Sequence, residues 1–175
     1  MAKNSVSKSH QRAIDNLQVR DVFLVSSASE INTDYEPKFS PNSDEVGVQH
    51  KHVVDRSAII SFSSEEEQDV IKLFRVYIEL GAQWRSTSDN DSGNTPDSDT
   101  EEDSKEPLAK IEACFVAEYQ ILNDISKESL EEFALKNASY HIWPYWREYL
   151  MSQAMRMNLP KSALPMVQFS VGDGE

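Results

Sequence analysis

The chain has one cysteine, Cys114, in 175 residues, so no disulfide can close within it, and a reducing cytosol is the compartment that fits. Glycine is scarce. The five present are not spaced as a phosphate-binding loop. Four histidines and one cysteine are too few for a recognisable zinc set. His50 and His52 would point the same way on a strand, but His10 and His141 are far off in sequence. No apolar run approaches the ~20 residues that span a bilayer. Met1 to Ile14 is polar and lacks the apolar centre of a signal peptide. Positive charge is also short, with 17 Lys and Arg against 30 Asp and Glu, a net charge of −13 and a pI near 4.7. That balance argues against nucleic acid and against anionic membrane surfaces, both of which are bound through Lys and Arg. Asp89, Asp91 and Gly93 match only a fragment of a calcium loop. Cys114, mid-strand and without an activating neighbour, is expected as a small core residue. No catalytic constellation emerges, so neither an enzyme, a cofactor nor a metal is expected.

What is present divides cleanly. Ser86 to Pro107 holds eight acids, one Lys and no large apolar residue, and −7 of the net charge sits there. Such a stretch cannot bury enough surface to offset its ordering entropy, so it reads as a disordered loop, residues 86–107, inside one folded domain at 13–169. Residues 1–12 and 170–175 read as flexible tails.

Strands are expected at four places. Leu17 to Ser26 puts Leu17, Val19, Phe23 and Val25 on one parity. Val46 to Phe62 is a bent strand, polar in its first half. Val70 to Leu80 places Val70, Phe74, Val76, Ile78 and Leu80 on one face. Leu108 to Ile121 has the cleanest alternation, with Ile111, Ala113, Phe115, Ala117, Tyr119 and Ile121 against Lys110, Glu112, Glu118 and Gln120. Tyr35 to Pro41 holds two prolines and reads as an irregular crossover. Beyond Ile121 the period changes. Ser129 with Glu132 forms a capping-box signature for a short helix. Asn137 to Asn158 then repeats Trp143, Trp146, Leu150, Ala154 and Met157 at helical steps, with Pro144 either starting or kinking the helix. The result is an α+β chain: a four-stranded antiparallel sheet with C-terminal helices packed on one face. Tyr140, Trp143, Tyr145, Trp146 and Tyr149 supply five of sixteen aromatics within ten residues. They cover more of the helix than one sheet can bury, so part of the cluster is expected at a subunit interface or a ligand.

The segment from Ile142 to Phe169 resembles the C-terminal region of the SecB protein-export chaperone family. Trp143-Pro144-Tyr145-Trp146-Arg147-Glu148 is similar to that family's helix start, and Pro160 through Leu164, Pro165, Val167 and Phe169 to its closing segment. Leu17 to Glu30, Asp69 to Gly81 and Ala113 to Gln120 resemble its first, third and fourth strands. The resemblance implies a cytoplasmic homotetramer, a dimer of dimers, that holds non-native polypeptides without ATP. It implies grooves lined by Tyr35, Phe39, Val46, Val48, Leu164, Met166 and Phe169. Export members dock the motor SecA through carboxylates on the open sheet face; Glu30 falls on one such position, while Ser26 occupies another. An acidic insertion like 86–107, and the likeness of Arg12 to Val22, are also features of SecB-like chaperones of toxin–antitoxin systems, whose client is an antitoxin; the resemblance thus implies a general holdase first, serving export or handover, with the antitoxin-dedicated role as its near alternative. A scaffold without chaperone activity is the alternative of another class.

Overall fold

A computed structural model describes residues 7–39, 46–63, 70–87, 106–161 and 164. In chain order these form α1 (Lys8–Asn16), β1 (Leu17–Ile31), β2 (Val46–Ser63), β3 (Val70–Ser86), β4 (Ala109–Ile121), α2 (Lys127–Lys136) and α3 (Ala138–Arg156). The strands make one antiparallel sheet in the order β1-β4-β3-β2, with the helices on one face. The expected α+β class and sheet are thus the observed ones.

Alternation on the two central strands builds the core. On β3 the even positions Phe74, Val76, Ile78, Leu80, Ala82 and Trp84 are all buried; Val70, expected with them, is exposed beyond the end of β4. On β4 the odd positions Ile111, Ala113, Phe115, Ala117 and Tyr119 are buried. Against this face α3 lays Ala138, Ile142, Trp146, Leu150 and Ala154, one residue every turn. α2 adds Leu130, Phe133 and Ala134. The Tyr119 ring meets Phe133 edge-on at 5.0 Å, and its hydroxyl bonds His141 Nδ1 at 2.8 Å. Burial pushes the Tyr119 phenol upward and the His141 imidazole downward, which favours the neutral form of each.

Four expectations are corrected. First, β1 does not keep one parity. Bulges between Val19 and Asp21 and between Leu24 and Ser26 each insert a residue. Register therefore brings Leu17, Val19, Val22 and Leu24 to the helical side and leaves Phe23 on the other. Second, Cys114 is not core. It is an even position of β4, half-buried on the open face of the sheet. Third, the cap of α2 is Ser126, three residues before the expected Ser129. The Ser126 side chain accepts from the Ser129 amide, and Ser129 itself is buried. Fourth, of the tail expected over residues 1–12, Lys8 to Arg12 belong to α1, and residues 1–6 lie outside the described residues. Pro144 lies inside α3, well after its start at Ala138. Of the expected loop 86–107, Ser86 closes β3, and residues 88–105 lie outside the described residues, as do 170–175.

What fixes α1 is Glu132. Its carboxylate accepts hydrogen bonds from the Ser7 and Ser9 hydroxyls and pairs with Lys136 at 2.8 Å. Lys136 first, then the two serines, hold the Glu132 carboxyl down at about 2. Its folded value lies below the ordinary 4.5, so this contribution is complete above about pH 4.5 and is lost as pH falls toward 2. Hydrogen-exchange protection of the α1 amides should therefore decline over that range. Glu132→Gln should lower it roughly fivefold at neutral pH while the sheet is unaffected. Unchanged α1 protection in the variant would mean that its other contacts, buried Ala13 and the hydrogen bonds of His10 to Asn137 and Arg12 to Asp124 O, dock the helix without Glu132.

Candidate functional site

The end of α3 shapes a groove. Asn158 is the one non-glycine residue with positive φ among the described residues, at 54°. It follows the last helical turn, and two hydrogen bonds close the reversal: Leu159 N–H to Ala154 O at 2.9 Å and Asn158 N–H to Met155 O at 3.3 Å. This is a Schellman turn, with Asn supplying the left-handed residue and buried Leu159 its apolar contact. Pro160 prevents the helix from resuming. The chain is then tied to the sheet, because the Trp84 indole donates to Pro160 O at 3.2 Å.

Between the crossover and this returning segment lies a groove of about 760 Å³. Trp84, Leu150, Ala154, Leu159 and Leu164 give it an apolar floor, and Met151 and Met155, both exposed, an adaptable wall. Lys38, Arg147 and Lys161 stand around it with Asn158. The size suits a ligand of several side chains, and the lining gives apolar contact with few fixed polar demands.

The residues expected at a groove are partly brought together. Leu164 lines it. Phe39 is 75% exposed beside Lys38. Val48 is half-buried and pairs across the strands with Trp84, one step from Val46. Tyr35 instead joins the core cluster at 9% exposure, and its buried hydroxyl has no hydrogen-bond partner among the described residues. Met166 and Phe169 lie outside the described residues. Among the aromatics expected at an interface, Tyr140 and Tyr145 are about half exposed, and Trp143 and Tyr149 are half-buried. Trp146 is corrected: at 1% exposure it packs in the protomer's own core, stacked on Tyr149 at 6.2 Å, and offers a partner no surface. The residues that sequence reasoning missed have a legible signal in retrospect. Trp84 continues the parity of Leu80 and Ala82, and Arg147, Met151 and Met155 repeat every four residues on the second face of α3.

The opposite sheet face is of another kind. Val116 is fully buried between its cross-strand partners Phe23 and Tyr77. Arg75 lies over Phe23 and Arg56 over Tyr77, at 5.7 and 4.1 Å from the ring centroids. Arg75 also pairs with Glu118 at 2.7 Å. Glu30 is exposed on this face, opposite Lys110 in register. A shallow hollow of about 320 Å³ lies there too, lined in part by Ser26, Lys51, Glu79, Glu112 and Cys114. Burial raises the Cys114 thiol above its usual range, which disfavours a nucleophilic thiolate. Among the described residues, no group of three or more His, Cys, Asp or Glu is placed to hold a metal ion, and no helix is long and apolar enough to cross a membrane.

By sequence, no family model matches the chain, and no curated protein does. By structure, it is similar to the Mycobacterium tuberculosis Rv1957 SecB-like chaperone, solved in complex with a ChAD peptide from the Rv1956 HigA1 antitoxin. The TM-score is 0.59 at 16% identity, over 93% of this chain and 98% of that one. The fold is SecB-like. The SecB-like assignment thus rests on the arrangement of strands and helices, and the identity is too low to carry individual residue roles across.

The Schellman turn gives a direct test. Glycine adopts positive φ without the Cβ penalty, so Asn158→Gly should stabilise the protein by ~0.5–1 kcal/mol, and Asn158→Val should cost ~1–2 kcal/mol. Thermal melts of the two variants should shift in opposite directions. A common loss would show that the Asn158 side chain, not its backbone, is what the turn requires.

Proposed function

We propose that this chain is an ATP-independent holdase that binds non-native polypeptide segments in the groove beside Trp84. The observation that carries this reading is the groove's lining. An apolar floor with two exposed methionines on its wall takes many side chains without demanding one sequence. The SecB-like fold supports it. Service to an antitoxin is the favoured specialisation, because the structural neighbour was solved with an antitoxin peptide bound. Export with SecA is the other role, and would call on Glu30.

The working form is a homotetramer. Tyr140 and Tyr145 on the outer side of α3 are large, apolar and about half exposed, which is the composition of interface cores. Sedimentation at micromolar concentration should give a species near four times 19.9 kDa. A lone 19.9 kDa species would remove the tetramer from the proposal.

Client protection is read by light scattering of a denatured protein diluted into buffer. The chain should suppress aggregation equally with and without ATP. Undiminished aggregation would favour a scaffold without chaperone activity. Replacing the exposed Met151 and Met155 together by Ala should remove ~60 Å² of client contact, worth roughly 1.5 kcal/mol, or about tenfold in affinity. The melting temperature should barely move. Ile142→Ala, in the core, should instead cost ~2–5 kcal/mol of stability and leave affinity per folded chain intact.

A further inference from the structure

The lining of the groove carries a charge opposite to that of the chain. Overall the protein is at −13. Yet among the described residues each charged side chain that lines the groove is a cation: Lys38 from the crossover, Arg147 from α3 and Lys161 from the returning segment. All three are exposed, and none makes an ion pair with another described residue. Several cations elsewhere pair with local partners, Lys51 with Glu79, Arg75 with Glu118, Lys110 with Glu112 and Lys136 with Glu132, while others such as Arg20 and Arg156 make no ion pair among the described residues; what sets the groove apart is that three such cations share one apolar lining. Three elements far apart in sequence thus bring positive charge, without an ion-pair partner among the described residues, to one apolar cleft.

Resting on the holdase reading, we propose that the groove selects acidic client segments: one or two large apolar side chains for the Trp84 floor, flanked by Asp or Glu for the Lys38, Arg147 and Lys161 rim. Apolar contact supplies the affinity. The rim sets the choice among equally apolar segments, since like charge against it costs what opposite charge gains. The range of this discrimination is short. At about 0.1 M salt a charge is screened beyond roughly 10 Å, so acids farther than that from a bound segment weigh less on it than the rim does. Arg147 adds geometry to charge, because its fork can take a carboxylate through two parallel hydrogen bonds.

The probes are short fluorescein-labelled peptides with a Leu-Trp-Leu centre flanked by Asp, by Lys or by Ser, titrated with the full chain and read by anisotropy. The Asp-flanked peptide should bind about tenfold more tightly than the Lys-flanked one at low salt, with Ser between them. Salt at about 0.5 M should shrink the gap to less than about threefold. Lys38→Gln, Arg147→Gln and Lys161→Gln combined should close the gap at low salt with an unchanged thermal melt. Arg20→Gln, an equal loss of charge on β1, should leave it open. Equal affinity for all three peptides would overturn the proposal while leaving the holdase intact. A preference for Lys flanks would overturn it too, and would show that the chain's own acids govern the field. Binding of none of them, with aggregation still suppressed, would mean that another occupant, such as a second copy, covers the groove. Binding of none with no suppression would remove the holdase reading as well.

Discussion

The seating of α3 on β4 is the contact on which the rest of the protein depends. Along β4 the buried positions alternate in size: Ile111, Ala113, Phe115, Ala117, Tyr119. The two alanines leave hollows between the larger side chains. Into that relief α3 sets Ile142, Trp146, Leu150 and Ala154, each one turn after the last. Close packing of this kind tolerates little change in volume. It also fixes the direction of the helix, and hence where its C-terminal turn delivers the chain. The Schellman reversal at Asn158 and the Trp84 hydrogen bond then become consequences of one docking event.

From that seat the two sides of the sheet take different characters. The helical side is apolar and continuous, and it ends at the groove. The other side has no helix among the described residues; guanidinium planes cover Tyr77 and Phe23 at its centre, while Val53, Phe62 and Ile71 stay exposed nearer its edge. Stacked arginines can cover a ring while staying hydrated, so Val116 is shielded without a second layer of structure. Gly81 belongs to this economy. A Cβ there would stand 3.3 Å from Lys51 Cβ, so glycine is what lets the Lys51 side chain lie close over the centre of the sheet.

Much of the fold was legible because alternation and helical spacing are local signals. β3, β4 and α3 are long, strongly patterned and central, and pattern alone placed most of their buried residues; the exceptions include Val70, which is exposed, and Trp143 and Met157, which are half-buried while Ala138 and Ile142 complete the buried face of α3. β1 was harder for a physical reason: each bulge reverses the meaning of every following position, and Asp21 and Ser26 give no local sign of one. The Ser126 cap lost to the Ser129–Glu132 pair on paper because the true task of Glu132 lies in α1, more than a hundred residues away. The groove shows the same limit. Leu164 was legible from the closing segment, but the site exists only where β3, α3 and the crossover meet, and no window of sequence contains all three. Trp146 faces the core and not an interface, and a run of aromatics on a helix does not say which of them face the sheet.

The junction of β3 and β4 has a consequence of its own. The two strands are zipped to their very end, with Leu108 N–H bonded to Trp84 O at 2.8 Å and Asn32 N–H bonded in turn to Leu108 O. Sheet register is thus settled before the acidic stretch begins and resumes as soon as it ends. Each doubling of a connecting segment costs only about 0.6 kcal/mol in closure entropy. The position is therefore a splice point, where chain length and composition can drift, or a reporter domain can be grafted, with little strain on the sheet. Because Trp84 also floors the groove, whatever is spliced there is tethered beside the groove, at high local concentration with respect to anything held in it.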